Sequence, residues 1–129
     1  KKFRLHNHVK LLGRNDDISR VMNGFDVHIL SSSYGEGFPN VIAESMACGT
    51  PCITTDVGDA AFIVGKTGWV VPPKNEVKLS LAIEKALNEI GTTDWVKRSN
   101  KARQFIQKKF SINKMLKSYN RVWISVFKK

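Results

Sequence analysis

Short apolar segments alternate with longer helix-like segments along the chain, and this alternation most restricts the folds open to it. Three of the four apolar segments end at glycine, serine or proline and are followed by a helical pattern, whereas the segment at residues 52–55 is followed by a loop. Strands separated by helices are typical of a parallel sheet with helices on both faces. Strands without polar alternation are typical of burial on both sides. We therefore predict strands at residues 9–12, 26–30, 52–55 and 68–71.

Capping residues, glycine and proline mark the ends of the expected helices. The helices are expected to begin after Asp16 or Asp17, at Pro39, near Asn75, after Asp94 and at Ser111, and to end near Asn23, Cys48, Ile90 and Phe110. The last helix carries apolar side chains at helical spacing, which are most simply interpreted as core: Met115, Tyr119, Val122, Trp123 and Val126. The predicted fold is a Rossmann-like, three-layer α/β/α domain with a parallel sheet. Residues 1–129 are expected to form a single, truncated domain that includes C-terminal helices at about 94–127.

Charge is distributed unevenly along the sequence. The formal net charge is +10, and eleven Lys or Arg but no Asp or Glu follow residue 94. Such a basic segment indicates either a polyanionic neighbour or a solvated helix face. A non-enzymatic nucleic-acid-binding domain is the alternative that charge alone suggests, but no recognition helix or aromatic RNA platform stands out. A dinucleotide-dependent dehydrogenase is disfavoured because the chain lacks a G-x-G-x-x-G run.

The cysteine positions and the hydropathy of the sequence argue against several further classes of protein. Cys48 and Cys52 lie in an apolar stretch without the companions that a zinc site or disulfide framework needs, so we interpret both as packing residues. The apolar runs fall far short of the ~20 residues that span a bilayer. The first ten residues are basic and polar, without the apolar core of a secretory signal. A cytoplasmic location is therefore expected.

Residues 31–51 carry the most informative pattern, in which a strand end leads through a glycine loop into a helix at Pro39. Proline suits the first helical turn because its missing N–H costs nothing there. The amides of Asn40, Val41 and Ile42 are then expected to point out of the helix end. Together with the helix dipole, they would form a site for an anion such as a diphosphate. Gly35 and Gly37 would let a ligand approach the main chain.

Two glutamates belong to this pattern. Glu36 lies in the loop, where it could also be a simple surface charge. Glu44 lies within the helix among apolar residues, so its carboxylate is expected to be desolvated unless paired hydroxyls, such as a ribose diol, satisfy it. A solvent-facing Glu44 is the alternative. Ligands of parallel α/β folds bind beyond the carboxyl ends of the strands, which directs attention to residues 13–17, 31–40 and 55–61.

The spacing of these glutamates resembles a known family. The run from Glu36 to Glu44 is similar to the E-x7-E motif of the GT-B-fold, retaining glycosyltransferases of family four, in their C-terminal nucleotide-sugar-binding half. The resemblance continues in order and spacing through residues 45–51, 56–58, 68–73 and 110–115. It departs at residues 59–62, where the family often has a second glycine and a glutamate. A ligand role for that loop is therefore in doubt.

The resemblance implies a role for each matching residue. Glu36 would hold donor-sugar hydroxyls beside the reacting carbon, and Glu44 would bind the ribose. Arg14 and Asn15 match a more variable loop near the nucleobase. The sugar and the diphosphate would be contacted by the helix opening, which comprises Gly37, Phe38, Pro39, Asn40 and Val41. Glu36 is expected to be the catalytic residue but not a covalent nucleophile, because Glu44 lies at the ribose end and cannot flank the same bond.

The implied reaction transfers a sugar from a nucleotide sugar to a saccharide or lipid-linked acceptor, with retention, in polysaccharide or glycolipid biosynthesis. A UDP-sugar is the expected donor and GDP-mannose its main rival. No metal and no cofactor are expected. The implied partners are an N-terminal acceptor domain of the same protein and an anionic membrane surface at which the enzyme is peripheral; no nucleic acid is expected. Since the family's other phosphate-binding and catalytic residues lie upstream, we expect the 129-residue chain alone to be inactive.

Overall fold

The computed structural model describes residues 5–127 and shows three strands and six helices in that range. In chain order these are α1 (Ile18–Asn23), β1 (His28–Leu30), α2 (Asn40–Ala47), β2 (Cys52–Thr55), α3 (Ala60–Val64), β3 (Trp69–Val71), α4 (Glu76–Glu89), α5 (Thr93–Phe110) and α6 (Ile112–Phe127). The predicted alternation of strands and helices is present.

The three strands form one parallel sheet in the order β1-β2-β3. The central strand β2 pairs Ile53 with Ile29 on one side and with Trp69 on the other. All four residues of β2 are buried. A run without polar alternation is what a strand covered on both faces requires, so this strand could be predicted to the residue.

Helices cover both faces of the sheet, which confirms the Rossmann-like three-layer prediction. Successive side chains of a strand point to opposite faces, and Cys52 and Ile53 accordingly belong to different cores. The core that contains Cys52 includes apolar side chains from α2, α3 and α5: Ile42, Met46, Ala60, Ile63, Val64, Ala102 and Ile106. The core that contains Ile53 is closed by Ala82 and Ala86 of α4.

Helix α2 packs against the core through one face. This face carries three buried side chains at helical spacing: Ile42, Ser45 and Met46. The helix begins at Asn40, one residue later than predicted, because Pro39 serves as its N-cap. Its C-terminal end is held by α5. Ser99 donates to the carbonyl of Gly49, and Arg103 Nε donates to the carbonyl of Ala47 at 3.0 Å. These bonds satisfy carbonyls that a helix end leaves unpaired.

The remaining helix starts follow the predicted caps with two differences. Asp17 caps α1 by accepting from the amide of Arg20, and Asn75 caps α4 by accepting from the amide of Lys78. The cap of α5 is Thr92 rather than Asp94, because the Thr92 hydroxyl accepts from the amide of Trp95. The short helix α3 was not predicted.

The predicted strand at residues 9–12 is absent. These residues are exposed and pair with none of the strands among residues 5–127, and the side chain of Leu11 is 91% exposed. Apolar composition favours a strand, but a strand exists only where a neighbouring strand supplies its hydrogen bonds.

Helix α6 does not contribute to either core, so the prediction that its aromatic stripe is core was wrong. It has no buried residue. The stripe is exposed throughout, and Trp123 retains 59% of its surface. Lys114, Lys117 and Arg121 lie on the opposite side of the helix, because their positions differ from the stripe by about half a turn. The helix is therefore amphipathic, with its apolar face uncovered.

An aromatic cluster fixes the amino end of β3. The rings of Trp69 and Trp95 are stacked with centroids 6.3 Å apart, and the Arg98 guanidinium lies 4.2 Å from the centre of the Trp69 ring. Arg98 also donates to both carboxylate oxygens of Glu89 at 2.8 and 2.9 Å. Trp69 is therefore a packing residue. A polar cavity of about 290 Å³ beside the cluster is lined by Lys66, Thr67, Glu89, Asp94, Lys97, Arg98 and Lys101.

Two groups with perturbed acidity lie away from the loops at the carboxyl edge of the sheet. Burial raises the pKa of the Cys52 thiol to about 12, and both Cys52 and Cys48 are free cysteines. Burial lowers the pKa of His28, whose Nε2 has no hydrogen-bond partner among the described residues. His28 is the first residue of β1, so it belongs to the sheet, as predicted, and lies at the end opposite the candidate loops.

Candidate functional site

The loops that follow the three strands meet at the carboxyl edge of the sheet. They comprise residues 31–39 after β1, 56–59 after β2 and 72–75 after β3. In parallel sheets this edge is where ligands bind. The loop after β1 contains Glu36 and leads directly into α2, so the predicted glutamate and the predicted helix start are adjacent in space.

Glu36 is half-buried, and its carboxylate has a defined partner. The Ser32 hydroxyl donates to Glu36 Oε1 at 2.6 Å. Thr55, at the end of β2, in turn donates from Oγ1 to the carbonyl of Ser32 at 2.6 Å. Glu36 is therefore not a free surface charge, because its carboxylate accepts a hydrogen bond from Ser32, whose carbonyl is bonded in turn to the central strand.

The loop after β2 packs directly against the main chain around Glu36. The amide of Asp59 donates to the carbonyl of Gly37 at 2.9 Å. Gly58 has φ +57°, and a Cβ added to it would lie 2.6 Å from the oxygen of Gly37 and would also meet the oxygen of Glu36. Glycine is therefore required at position 58 by both its conformation and its neighbours. Within the described structure this loop supports the main chain of the β1–α2 loop, a role that the sequence pattern did not predict.

The start of α2 offers fewer open amides than predicted. The amide of Ile42 donates to the carbonyl of Pro39 at 3.1 Å, so the expectation that it points freely outward was wrong. Asn40 and Val41 are exposed, and no acceptor within residues 5–127 bonds their amides. A Cβ on Gly37 would meet nothing within 4 Å. The amides of Asn40 and Val41 and the exposed main chain at Gly37 therefore remain accessible to a ligand at the positive end of the helix.

Phe38 and Pro39 anchor this helix start to the rest of the fold. Pro39 is buried, and the ring of Phe38 packs edge-on against Phe110 with centroids 5.4 Å apart. Phe110 also contacts Phe62 and Phe105 in the same geometry. The C-terminal end of α5 thus supports the loop that carries Glu36.

Glu44 is exposed, which contradicts the expectation that its apolar neighbours desolvate it. The apolar residues beside it in sequence point elsewhere, because successive residues of a helix are rotated by about 100°. Ile42 and Met46 face the core, whereas Glu44 lies on the outer face together with Asn40, four residues before it. The structure therefore places Glu44 on the same helix face as Asn40, one turn along from the open amides.

Arg14 and Asn15 are not brought together with the glutamates by any contact among the described residues. Both are exposed, and their side chains bond locally. Arg14 Nε lies 3.3 Å from Asp16 Oδ1, and Asn15 Oδ1 accepts from the amide of Asp17 at 2.9 Å. These bonds form the turn that leads into α1.

A small crevice at the same edge brings the segment after β3, which the sequence pattern did not indicate as part of a site, beside the predicted loops at residues 31–40 and 55–61. It has a volume of about 160 Å³ and is lined by Ser31, Ser33, Thr55, Lys74, Asn75, Glu76 and Leu79. Lys74 has φ +56°, an uncommon conformation for a residue other than glycine. Its position directly after Pro72 and Pro73, at the end of a strand, is a signal that could have identified it.

Residues 5–127 contain neither a cluster of metal-binding side chains nor a helix that could span a membrane. No group of three or more His, Cys, Asp or Glu side chains there is arranged to hold a metal ion. No helix in that range has both the length and the hydropathy needed to cross a bilayer.

Residues 1–89 match the family described as Glycosyl transferases group 1. The chain belongs to this family. Over 116 residues this glycosyl transferase chain is 29% identical to the Vi polysaccharide biosynthesis protein VipC/TviE of Salmonella typhi, an alignment that covers 86% of the chain and 20% of that protein. The chain spans between 9% and 33% of the length of the curated relatives it matches.

Solved structures confirm the fold of this group 1 glycosyl transferase chain. A glycosyltransferase from Rickettsia africae superposes with a TM-score of 0.90 at 27% identity, covering 97% of the chain and 34% of that protein. Alr3699/HepE of Anabaena in complex with UDP superposes with a TM-score of 0.86 at 25% identity, covering 94% of the chain and 33% of that protein. HepE has also been solved with UDP-glucose. The Rossmann-like architecture is thus that of GT-B glycosyltransferases.

Proposed function

We propose that this chain is the donor-binding domain of a retaining glycosyltransferase that takes a UDP-sugar. The observation that carries the proposal is the junction between β1 and α2. There a carboxylate held in place by Ser32 lies next to an open helix start, and a second glutamate follows on the outer face of the same helix. HepE, which shares the fold and is 25% identical, binds UDP and UDP-glucose. The proposed pathway class, polysaccharide or glycolipid assembly, agrees with the name of the Salmonella relative.

Each part of the junction suits one part of a nucleotide sugar. The open amides of Asn40 and Val41, at the positive helix end, would bind the diphosphate without a metal ion. Glu36 would accept hydrogen bonds from sugar hydroxyls, and the exposed Glu44 would accept hydrogen bonds from the paired hydroxyls of the ribose. Arg14 and Asn15 would lie near the base. Glu44 is exposed, so its carboxylate is accessible to such a ligand.

The proposed chemistry is a same-face displacement at the anomeric carbon. The bond from that carbon to the diphosphate oxygen breaks while the bond to the acceptor oxygen forms. The acceptor proton passes to the departing diphosphate. In this proposal Glu36 holds the sugar and forms no covalent bond, since Glu44 would bind the ribose and so could not flank the reacting bond.

The acceptor would be bound by an N-terminal domain of the same protein, which the exposed face of α6 would contact. That face is apolar and uncovered, as expected of a surface that meets another domain. Lys114, Lys117 and Arg121, on the other side of α6, would remain available to an anionic membrane surface at the inner face of the membrane, where each charge contributes about 1 kcal/mol. Cosedimentation with vesicles of anionic and of neutral lipid tests this part. Equal binding to both would refute it.

Thermal unfolding with UDP, GDP, ADP and their sugar conjugates tests the donor site. A ligand at about 100 times its dissociation constant stabilises by about 2.7 kcal/mol. We expect UDP to stabilise the wild type and Glu44→Gln to abolish the effect. Glu84→Gln, at an exposed position of α4, is the matched control and should respond like the wild type. Stabilisation by UDP that persists unchanged in Glu44→Gln would contradict the ribose assignment.

A further inference from the structure

A hydrogen bond from the Ser32 hydroxyl connects the proposed catalytic glutamate, Glu36, to the rest of the fold. At 2.6 Å it lies in the range of strong hydrogen bonds from a hydroxyl to a carboxylate. Both side chains are half-buried, so water competes for this bond less than it would at the surface. A carboxylate on a flexible side chain is thereby restricted to one orientation.

Ser32 is itself fixed from the central strand. Thr55 Oγ1 donates to the carbonyl of Ser32 at 2.6 Å and approaches the carbonyl of Leu30 at 3.5 Å. Thr55 is buried and ends β2, the strand with neighbours on both sides. Two hydrogen bonds therefore connect the central strand to Ser32 and Ser32 to the carboxylate of Glu36.

We propose that Ser32 is a positioning residue, whose hydroxyl sets the orientation in which the Glu36 carboxylate meets the donor sugar. The inference rests on the proposed function, because it takes Glu36 as the residue that holds sugar hydroxyls. In this role Ser32 acts on the sugar only through Glu36. Its loss should therefore weaken interactions with the sugar and leave interactions with the nucleotide intact.

The test compares UDP-glucose with UDP in the complete transferase that contains this chain. Ser32→Ala should lower kcat for release of UDP from UDP-glucose by about ten- to a hundredfold, the effect of losing a hydrogen bond to a charged group. The Kd for UDP alone should stay within about twofold. Ser32→Thr retains the hydroxyl and should recover most of the rate, which a purely steric role for serine would not predict. Ser80→Ala, at an exposed position of α4, controls for serine replacement and should behave like the wild type.

Glu36→Gln, measured alongside, separates this inference from the proposed function. If Glu36→Gln lowers the rate and Ser32→Ala does not, the positioning role is overturned and the donor site stands. If Ser32→Ala weakens UDP binding as much as it slows UDP release, Ser32 supports the whole loop and the positioning role is also overturned. If Glu36→Gln has no effect, the proposed function fails and the role of Ser32 fails with it.

Discussion

Replacing Gly58 with alanine should destabilise the protein more than the same replacement at an ordinary left-handed glycine. Position 58 has φ +57°, and the left-handed conformation costs an alanine about 1–2 kcal/mol. The new Cβ would also lie 2.6 Å from the oxygen of Gly37, closer than a real Cβ contact allows. Overpacking of this kind adds about 1–3 kcal/mol. The free energy of unfolding should therefore fall by about 2–5 kcal/mol in Gly58→Ala.

Gly91→Ala is the matched control for this prediction. Gly91 also has a left-handed conformation, φ +82°, but a Cβ there would meet nothing within 4 Å. It should lose only the conformational term, about 1–2 kcal/mol. Urea unfolding of both variants gives the loss in free energy of unfolding for each, provided that the dependence of that free energy on urea concentration is the same in the two variants. Equal losses would refute the argument that the loop after β2 is packed against the main chain of Glu36 and Gly37.

Three further predictions concern other parts of the fold. Burial lowers the pKa of His28 below 6.5, so the imidazole binds a proton more readily in the unfolded chain than in the folded one. The contribution of the neutral His28 to the free energy of unfolding is therefore fully present above pH 6.5 and is lost as the pH falls below it. His28→Gln should flatten this pH dependence in urea titrations at several pH values. Arg98→Lys should lower the free energy of unfolding by about 1 kcal/mol, because lysine cannot keep both the paired bonds to Glu89 and the stacking on Trp69; an unchanged urea midpoint would contradict this. Trp123→Ser should change the free energy of unfolding of the 129-residue chain by less than about 0.5 kcal/mol in urea titrations, since the side chain is largely exposed there. A larger loss in this chain on its own would show that its own residues cover the face.

Local signals in the sequence predicted the elements whose causes are local. Asp17 and Asn75 cap the helices as expected, because an N-cap acts within three residues of itself. Strand β2 was predicted because burial on both faces leaves a continuous apolar and Thr-containing run. Helix α3 gave no such signal. It has five residues, and its N-cap Asp59 makes no side-chain capping bond, so tertiary contacts determine it.

The site was predicted in part, and the misses have a common cause. The sequence indicated that Glu36 and the start of α2 are adjacent, because they are neighbours along the chain. It did not reveal the bond from Ser32 or the contact of Gly58, since these depend on how the loops after β1 and β2 pack together. The desolvation expected for Glu44 was wrong because neighbours in sequence were taken as neighbours in space. The strand at residues 9–12 was wrong because its apolar composition says nothing about whether a pairing strand lies beside it.

The separation of the two ends of the sheet has a practical consequence. The polar cavity beside Lys66 lies before β3, whereas the loops with Glu36 follow the strands at the other end. Lys66→Cys would place a reactive thiol at an exposed position, at the end of the sheet opposite the proposed nucleotide site, while the buried Cys52, with its pKa of about 12, stays inert. With Cys48→Ser removing the half-buried thiol, the protein could be immobilised on a sensor chip in one orientation. Every immobilised molecule would then present the same open edge to nucleotides flowing past it.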